Sequence, residues 1–420
     1  MTPTEKLIGP TPTARSSGRA GDGGYRQYLA PQDGLPSNHV NALLRDIDGT
    51  VWAATDGGLS WLPPGADRWS ALTPRLSVDL PSARVTALAL DGQGGIWVGF
   101  AQRWDPERPN PRTGEPGAFS LGGLARYHPS DGLFTDITHV TRDGSPAREV
   151  YTTLPSENVT ALATLPDGTL WVGTRPYHVW QDRDCGGEAC PGDQGSWIQT
   201  GGGLAARKGA DWGGWASTED SAACFPAHVT GLAADLAGRM WVGTIGHGAL
   251  VMRHGLQVKG CQGGQAYYLR PRQQGQPGGL RGNTVWSIAA GADGRIWMGQ
   301  GDGTGGGLGI AILNHRGTFD DSSACRDCPT ANVDDEWTVL DVDGRAGDSS
   351  LLVSALAVDA SGVWMGSRDD KLGDGDGLRR YTLQGESWRM LRHADSGLPS
   401  NRIADMAFQP QRGEWWVATA

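Results

Sequence analysis

The sequence predicts an all-β fold, a seven-bladed β-propeller of four-stranded antiparallel blades closed by an N-terminal strand. Three observations support this prediction. The sequence contains a unit made of a short apolar strand, a glycine turn and a strand that carries a tryptophan, and this unit recurs along the chain. In addition, no stretch of the sequence has helical periodicity. Seven pairs of an apolar residue and a tryptophan mark the units: Val40 and Trp52, Val85 and Trp97, Val159 and Trp171, Val229 and Trp241, Val285 and Trp297, Val353 and Trp364, and Ile403 and Trp416.

The first unit shows how each blade is expected to form. Val40 to Leu44 is a short β run, Asp48-Gly49 is a hairpin turn because glycine tolerates positive φ, and Val51 to Thr55 returns as the second strand. Gly58-Leu59 then opens a third strand, and an aromatic residue, Trp69, marks the fourth. Four short antiparallel strands that recur in this way are typical of a propeller blade.

The two ends of the chain are expected to share the last blade. The sequence ends at Ala420 after only two strands of the seventh unit, whereas the strand at Tyr25 to Tyr28 has no blade of its own. Pairing that strand with the last blade would cover an exposed sheet edge. The source of the remaining strand is open, because Lys6 to Ile8 could supply it or the chain could be cut from a longer one.

A single domain is expected, since a closed ring is one domain whatever its length. It would occupy residues 25–420, after an N-terminal arm or linker at residues 1–24. The arm is rich in Thr, Pro, Ser, Gly and Arg and lacks the apolar centre of a secretory signal.

Charge and hydropathy exclude two classes of partner. The chain has 36 basic and 46 acidic residues, a net charge of -10, and no basic cluster in the sequence. Phosphate binding needs lysines and arginines that displace counterions, so we expect no nucleic acid partner. We also expect no membrane span in this chain, because no run of 18 residues is apolar.

The cysteines bear on the compartment. They are Cys185, Cys190, Cys224, Cys261, Cys325 and Cys328. The first two and the last two are close pairs in insertions, which suits local disulfides and a periplasmic or extracellular location. The pairing of Cys224 and Cys261 stays open, and one possibility is a disulfide from Cys261 to Cys325 or Cys328. Zinc bound by Cys185, Cys190, Cys224 and His228 is the rival interpretation, disfavoured because the usual two-by-two spacing is missing.

Antiparallel connectivity sorts the loops by face. In a four-stranded meander, the loop between the second and third strands and the loop leading to the next blade emerge on the same side. Extra sequence collects between the second and third strands, with 27 residues from Trp97 to Leu124 and 33 from Trp171 to Leu204, against 7 from Trp52 to Leu59. Rigid scaffolds carry specificity in such loops, so we expect ligands on this side, called here the insertion face.

The insertion face carries the candidate ligand-binding residues. Aromatic rings beside arginines and carboxylates supply stacking area and directed hydrogen bonds, which suit a small polar molecule such as an oligosaccharide. The candidates are Arg103, Trp104, Arg175, Tyr177, His178 and Trp180 in and around the two long insertions, and His39, Arg84, His247, Arg368 and Arg402 at strand ends. The alternative is that the aromatic rings only fasten the insertions to the ring.

The repeated motif resembles a known family. Gly34-Leu35-Pro36-Ser37-Asn38, then Asp-x-x-Gly-x-x-Trp-x-Ala-Thr ending at Thr55, then Gly58-Leu59, is similar to the two-component regulator propeller repeat. The resemblance covers roughly residues 25 to 420. It implies a seven-bladed propeller from the sensor region of a bacterial two-component system, where occupancy would be passed to a signalling output in other regions or proteins.

Three functions follow as expectations. The leading one is a ligand-binding sensor module that uses no cofactor. A lyase or hydrolase with a metal- and histidine-dependent central site is the second, and a protein-interaction platform is the third. No serine nucleophile elbow, paired carboxylates or His-Glu-x-x-His stands out, so we predict no catalytic residue or metal ligand.

Overall fold

The computed structural model confirms an all-β propeller. It describes residues 5–8, 26–74, 80–110, 112–140, 153–182, 195–216, 227–252, 266–269, 279–302, 306–316, 335–340, 352–359, 361–368, 376–383, 387–396, 398–409 and 414–419. All six cysteines lie outside the described residues, as does most of the predicted N-terminal arm. None of the helices in the described part has the length and apolar character needed to cross a membrane.

Two short strands come first, β1 (Glu5–Ile8) and β2 (Arg26–Tyr28). Blade 1 follows, with β3 (Val40–Arg45), β4 (Val51–Thr55), β5 (Gly58–Leu62) and β6 (Ser70–Leu72). Blade 2 has β7 (Val85–Leu90) and β8 (Ile96–Phe100), then a separate hairpin of β9 (Trp104–Pro109) and β10 (Pro116–Phe119), then β11 (Gly123–His128) and β12 (Leu133–Thr138). Blade 3 has β13 (Asn158–Thr164) and β14 (Leu170–Arg175), a second hairpin of β15 (Tyr177–Asp182) and β16 (Gly195–Thr200), then β17 (Gly203–Lys208) and β18 (Asp211–Ala216).

The remaining blades contain no such hairpin among the described residues. Blade 4 has β19 (Val229–Ala234), β20 (Met240–Thr244), β21 (Ala249–Met252) and β22 (Ala266–Leu269). Blade 5 has β23 (Thr284–Ala290), β24 (Ile296–Gly301), β25 (Gly307–Asn314) and β26 (Glu336–Leu340). Blade 6 has β27 (Val353–Asp359), β28 (Gly362–Ser367), β29 (Leu378–Thr382) and β30 (Ser387–Leu391), and after it come one short helix α1 (His393–Ser396), β31 (Ile403–Gln409) and β32 (Glu414–Thr419).

A further four-stranded sheet, the closing sheet, joins both ends of the chain in the order β2, β1, β32, β31. Lys6 pairs with Trp416 and with Arg26, so the N-terminal segment supplies two strands of this sheet. The prediction of antiparallel strands throughout is wrong here, because β1 pairs in parallel with both neighbours. No tight hairpin connects β1 to β32 or to β2, so nothing imposes an antiparallel direction.

The innermost strand of each four-stranded sheet lies next to the channel. These inner strands neighbour one another around the ring in the order β3, β7, β13, β19, β23, β27 and β31, and β31 lies beside β3 again. Each of these strands has a register shift two residues into its pairing with the second strand, as between Val40 and Ala42 or Val159 and Ala161. The ring of inner strands therefore encloses a central channel, with the same bulge repeated around it.

A repeated contact holds neighbouring sheets together. The tryptophan of each second strand is buried, with at most 8% of its surface exposed. Two residues later the chain has glycine or alanine, because the valine or isoleucine of the next inner strand packs there. A Cβ added at Gly99 would lie 2.5 Å from Cγ1 of Val159, and one at Gly173 would lie 2.5 Å from Cγ1 of Val229. The Trp-x-Gly/Ala motif thus encodes packing between blades.

Side chains on the inner strands tie each sheet to the next. A hydroxyl or amide donates to the backbone carbonyl oxygen that begins the neighbouring inner strand, at 2.5 to 2.8 Å. The donors of this hydroxyl belt are Asn41, Thr86, Thr160, Thr230, Ser287 and Ser354. At the junction between the closing sheet and blade 1 the polar contact is different, because a carboxylate, Asp405, accepts from the Leu43 amide.

Candidate functional site

The two long insertions form hairpins on the insertion face. Both β9–β10 and β15–β16 lie between the second and third strands of their blades, as the connectivity predicted. Their bases are held together at the ring, because the Asn158 side chain accepts from the Gln102 amide at 2.8 Å and donates to the Pro176 carbonyl oxygen at 2.8 Å. We call the two hairpins together the hairpin platform.

Aromatic rings join the two hairpins of the platform. The rings of Phe119 and His178 are stacked, with centroids 4.1 Å apart and an interplanar angle of 1°. Trp197 packs edge-on against Phe119 at 5.2 Å, and Trp180 against Trp197 at 5.7 Å. Such contacts contribute about 0.5–1.5 kcal/mol each beyond the area that they bury. The rings therefore couple an insertion of blade 2 to one of blade 3.

Two backbone-directed hydrogen bonds reinforce the same contact. The Gln102 side chain donates to the His178 carbonyl oxygen at 3.0 Å and accepts from the His178 amide at 2.8 Å. Gln199 lies 3.2 Å from Nε2 of the His178 ring. These bonds fix the height of the His178 ring above blade 2.

The candidate residues of the platform differ in accessibility. Trp104 is 47% exposed and Arg103 is also exposed, whereas His178 and Trp180 are partly buried. Tyr177 is only 4% exposed, and a Cβ at Gly201 would lie 2.8 Å from its ring. Tyr177 therefore fills space beneath the platform, and Trp104 supplies the accessible ring.

The other candidates surround the opening of the channel. Four residues stand directly before the first residue of an inner strand: His39, Arg84, His228 and Arg402. Two more stand at the ends of second strands, because Arg175 ends β14 and Arg368 follows β28. The backbone places them at one level: the Ala101 amide donates to the Arg84 carbonyl oxygen at 3.1 Å, and the Arg368 amide donates to the Leu352 carbonyl oxygen at 3.0 Å. We call this set the channel mouth. His247 lies in the loop after β20 on the same face, partly buried.

Burial and two other arginines of the channel mouth affect the pKa of Arg175. Burial lowers the pKa of Arg175, and the positive charges of Arg84 and Arg368 lower it further. Arg84 belongs to the adjacent blade 2, but Arg368 belongs to blade 6, and two blades separate it from blade 3 on the shorter side of the ring. The two blades on which Arg175 and Arg368 stand are therefore not neighbours in the ring.

A carboxylate offsets part of this charge. Nε of Arg84 lies 3.3 Å from Oδ1 of Asp56, with both side chains about a third exposed. The same oxygen accepts from Asn41 at 2.9 Å, which ties Asp56 to blade 1. The pair neutralises one arginine at the rim, while Arg175 has no ion pair or side-chain hydrogen bond within the described part of the chain.

Burial and the charge of Arg175 favour the neutral form of two histidines on this face. Burial, followed by the charge of Arg175, lowers the pKa of His228 to about 4. The same two causes, in the same order, lower the pKa of His178 in the platform. Neutral imidazoles offer one donor and one acceptor each without adding positive charge. Arg175 also links the channel mouth to the platform, because its charge acts on one histidine of each.

Sequence reasoning found part of this site. It named residues of both the platform and the channel mouth, but it missed Phe119, Trp197, Gln102 and Asp56. A usable signal existed for one of these: Asp56, Arg175 and Arg368 each stand four positions after the repeat tryptophan. Aligning the repeats at that tryptophan would have placed the three side chains at one level.

The site shows no metal-binding arrangement among the described residues. No group of three or more His, Cys, Asp or Glu side chains is placed to hold a metal ion there. The proposed zinc ligands Cys185, Cys190 and Cys224 lie outside the described residues, so that interpretation stays a prediction.

A cavity of about 120 Å³ lies between blades 2 and 3, lined by residues of both blades that include the turns between their first and second strands. Its polar groups are already paired: Arg126 donates to Asp91 at 2.7 Å, and Arg207 donates to Asp136 at 2.8 Å. Arg207 also lies 5.0 Å above the Trp97 ring. These contacts indicate that the cavity is part of the packing between blades.

Comparison with known proteins identifies the repeats. The family model described as two component regulator propeller matches residues 34–57, 79–102, 153–175 and 279–302, which contain the first two strands of blades 1, 2, 3 and 5. The chain therefore carries two-component regulator propeller repeats. No curated protein matches the sequence.

Solved structures are similar in fold. PorZ, a bacterial surface component of the type-IX secretion system of Porphyromonas gingivalis, is 16% identical with a TM-score of 0.58, over 94% of this chain and 47% of that chain. The extracellular domain of the putative hybrid two component system BT3049 from B. thetaiotaomicron is 14% identical with a TM-score of 0.33, over 93% and 56%. Virginiamycin B lyase from Staphylococcus aureus is 10% identical with a TM-score of 0.44, over 91% of each chain. The chain thus spans about half the length of the first two, and the likeness to PorZ shows the propeller fold alone.

Proposed function

We propose that this chain, which carries two-component regulator propeller repeats, is a sensor-type ligand-binding propeller. Its ligand is a small polar molecule, with an oligosaccharide as the preferred class, held on the insertion face, and its signalling output lies in other regions or proteins. A periplasmic or extracellular location belongs to the same proposal, because the repeat family implies it.

The observation that carries the proposal is the junction of the platform with the channel mouth. Burial, followed by the charge of Arg175, lowers the pKa of both His178 and His228, which supports a stacking surface and directed polar groups within one electrostatic neighbourhood. The accessible Trp104 ring stands against Phe119 at 5.1 Å, on hairpins that the aromatic contacts hold in place. A rigid aromatic surface beside polar groups matches the faces and hydroxyls of a sugar.

Binding of a glycan panel by the purified chain tests this function. Isothermal titration calorimetry should detect saturable binding of one oligosaccharide class, and Trp104→Ala should weaken it by about tenfold or more, which corresponds to about 1.4 kcal/mol. Ile47→Ala is the matched control, because Ile47 is 84% exposed in the turn between β3 and β4 on the opposite face. It should bind like the natural chain.

The panel also separates the two other functions. Turnover of a substrate that requires a divalent metal and is lost on His228→Ala would replace the sensor with the metal- and histidine-dependent lyase or hydrolase. Failure of every glycan to bind, together with capture of a defined protein partner that Trp104→Ala abolishes, would replace it with the interaction platform.

A further inference from the structure

We propose that His139 and Glu157 form a proton-sensitive latch at the base of the hairpin platform. When His139 is protonated, the pair holds the blade 2 hairpin tightly to blade 3, and when His139 is neutral the hold is weaker. This inference names a regulation of the proposed site. It rests on the proposed function for its effect on ligand binding, whereas the latch itself can be tested without a ligand.

The position of Glu157 is the first argument. Its side chain is only 8% exposed. Oε2 accepts from the Gly122 amide at 3.1 Å, and Oε1 accepts from the Val140 amide at 2.9 Å. Gly122 lies between β10 and β11, where the blade 2 hairpin returns to its blade. A buried carboxylate of blade 3 therefore holds the returning end of this hairpin.

The residue after Glu157 holds the other end of the same hairpin. The Asn158 side chain accepts from the amide of Gln102, which stands just before β9. The Glu157 backbone adds a further contact, because its carbonyl oxygen accepts from the Gly123 amide at 2.8 Å. Both ends of the hairpin are thus fixed to two consecutive residues of blade 3, and a change of charge beside Glu157 acts at the base of the platform.

The contact of His139 with Glu157 is the second argument. Nδ1 of His139 lies 3.2 Å from Oε2, the same oxygen that holds Gly122, and a carboxylate can only accept, so the ring donates. A Cβ added at Gly123 would lie 3.1 Å from Nδ1, so the ring packs on the backbone where the hairpin rejoins β11. The His139 side chain is 36% exposed, and a proton can therefore reach it from solvent. Charge-assisted hydrogen bonds are about twice as strong as neutral ones, so losing the charge of His139 weakens the pair.

Other repeats show that the structural role alone does not need a titratable pair. At the position of Glu157, two residues before the apolar residue that opens the inner strand, the first repeat has Asn38 and the last has Asn401. Each of these side chains also accepts from a backbone amide of the preceding segment, that of Ala30 at 2.6 Å and that of His393 at 2.7 Å. A neutral amide is sufficient there, so the carboxylate and histidine of blade 3 add a group that titrates near neutral pH.

The surroundings of His139 give the direction of the pH effect. The hydrogen bond to Glu157 raises the pKa of His139 above its ordinary value of 6.5, and the charge of Glu157 adds to the rise, while partial burial opposes it. The other described residues around the ring and its backbone are uncharged: Gly122, Gly123, Thr138, Val140 and Thr153. The folded chain therefore binds this proton more tightly than the unfolded chain. The resulting stabilisation is complete below pH 6.5 and is lost as pH rises through the raised pKa.

Hydrogen–deuterium exchange at about pH 5.5 and about pH 8.5 tests the latch without a ligand. After correction for intrinsic exchange, amides of β9 and β10 should open about threefold more readily at the higher pH, relative to amides of the inner strands β7 and β13. His139→Gln keeps a donor but does not titrate, so its hairpin should show the weaker protection at both pH values. His128→Gln is the matched control, because His128 ends β11 in the same blade, on the opposite face, and it should keep the pH dependence of the natural chain.

A second measurement covers the case in which a variant folds poorly. In the natural chain, the His139 ring followed by NMR should titrate above pH 6.5, and Glu157→Gln, which keeps an acceptor but removes the charge, should lower that value. Titration of His139 at or below 6.5 in the natural chain would overturn the latch. Equal pH dependence of β9 and β10 exchange in the natural chain and in His139→Gln would overturn it as well.

The same variants separate the latch from the proposed function. A glycan that binds the platform should bind about threefold more weakly at about pH 8.5 than at about pH 5.5, and His139→Gln should remove this difference. Latch-dependent exchange without any glycan binding would retain the latch and overturn the function. Glycan binding that depends on Trp104, with no effect of pH on β9 and β10, would retain the function and overturn the latch.

Discussion

Asp405 in the last inner strand accepts a hydrogen bond from the backbone amide of Leu43 in the first, at 2.7 Å, across the junction where the ring closes. Its other carboxylate oxygen accepts from the Met406 amide at 2.8 Å. The side chain is only partly exposed at the channel wall, and this desolvation raises its pKa to about 6, from an ordinary value of 3.8. The junction where the ring closes therefore contains a carboxyl group that keeps its proton to a higher pH than an ordinary aspartate does.

The first prediction concerns the pH dependence of stability. Because the folded state raises the pKa of Asp405, it binds the proton more tightly than the unfolded chain does between about pH 4 and pH 6. This group should therefore reduce the free energy of unfolding as pH rises through that window, by about 1–3 kcal/mol, with the full penalty present above pH 6. Urea unfolding at pH 4, 5, 6 and 7 measures it.

Asp405→Ser should remove that contribution. Ser287 stands at the equivalent bulge position of blade 5 and donates to Val353, so a serine hydroxyl fits this place in the ring. The change in the free energy of unfolding from pH 4 to pH 7 is compared between the natural chain and Asp405→Ser. Asp211→Ser serves as the control, because Asp211 is exposed. Equal changes in the natural chain and Asp405→Ser would contradict the assignment.

The closure of the ring shows what the sequence could and could not predict. The seven repeat tryptophans, all of which are buried, identify the second strands, because each packs between blades in the same way. The strand at Arg26–Tyr28 was expected in the last sheet, since an unpaired edge needs covering. The parallel direction of β1 was not predictable, because strand direction depends on a connection outside the repeat and not on apolar pattern.

The sequence likewise predicted one part of the candidate site and not another. Arg84 and Arg402 could be placed at the channel mouth because their positions repeat relative to each inner strand. The contact of Phe119 with His178 could not, because the two residues belong to insertions without a repeat, and their stacking depends on how two hairpins lean together. The effect of Arg84 and Arg368 on the pKa of Arg175 was also not predictable, because the three residues are distant in sequence.

The second prediction tests the hydroxyl belt. The hydroxyl of Thr86 donates to the Val159 carbonyl oxygen at 2.7 Å, linking blade 2 to blade 3. Thr86→Val keeps the shape but leaves that carbonyl without this donor, so the free energy of unfolding should fall by about 1–2 kcal/mol. Thr86→Ser retains the hydroxyl and should lose less in the same urea titration. A larger loss in the serine variant would show that the methyl group, and not the hydrogen bond, supports this junction.

The third prediction tests the glycine of the repeat motif. Gly173→Ala would place a Cβ 2.5 Å from Cγ1 of Val229, so blades 3 and 4 would have to separate locally. We expect a loss of about 1–3 kcal/mol in the free energy of unfolding. Val229→Ala removes the methyl groups that the new Cβ would meet. The double variant should therefore be more stable than the sum of the single losses by about 1 kcal/mol, measured as a double-mutant cycle. Strict additivity would mean that the two side chains do not compete for the same space.

The last prediction concerns the hairpin platform. Among the residues that the structure describes, Phe119 is the one ring that contacts His178, Trp104 and Trp197 together, so Phe119→Ala should uncouple the two hairpins without opening the propeller. Backbone amides of β9, β10, β15 and β16 should then exchange with deuterium faster, by about tenfold for a loss of 1.4 kcal/mol, while those of the inner strands should not change. Leu121→Ala is the control, because Leu121 is exposed and lies just beyond β10. Faster exchange throughout blades 2 and 3 would instead mean that the platform stabilises the ring itself, and its aromatic rings would then act mainly as fasteners and not as a ligand surface.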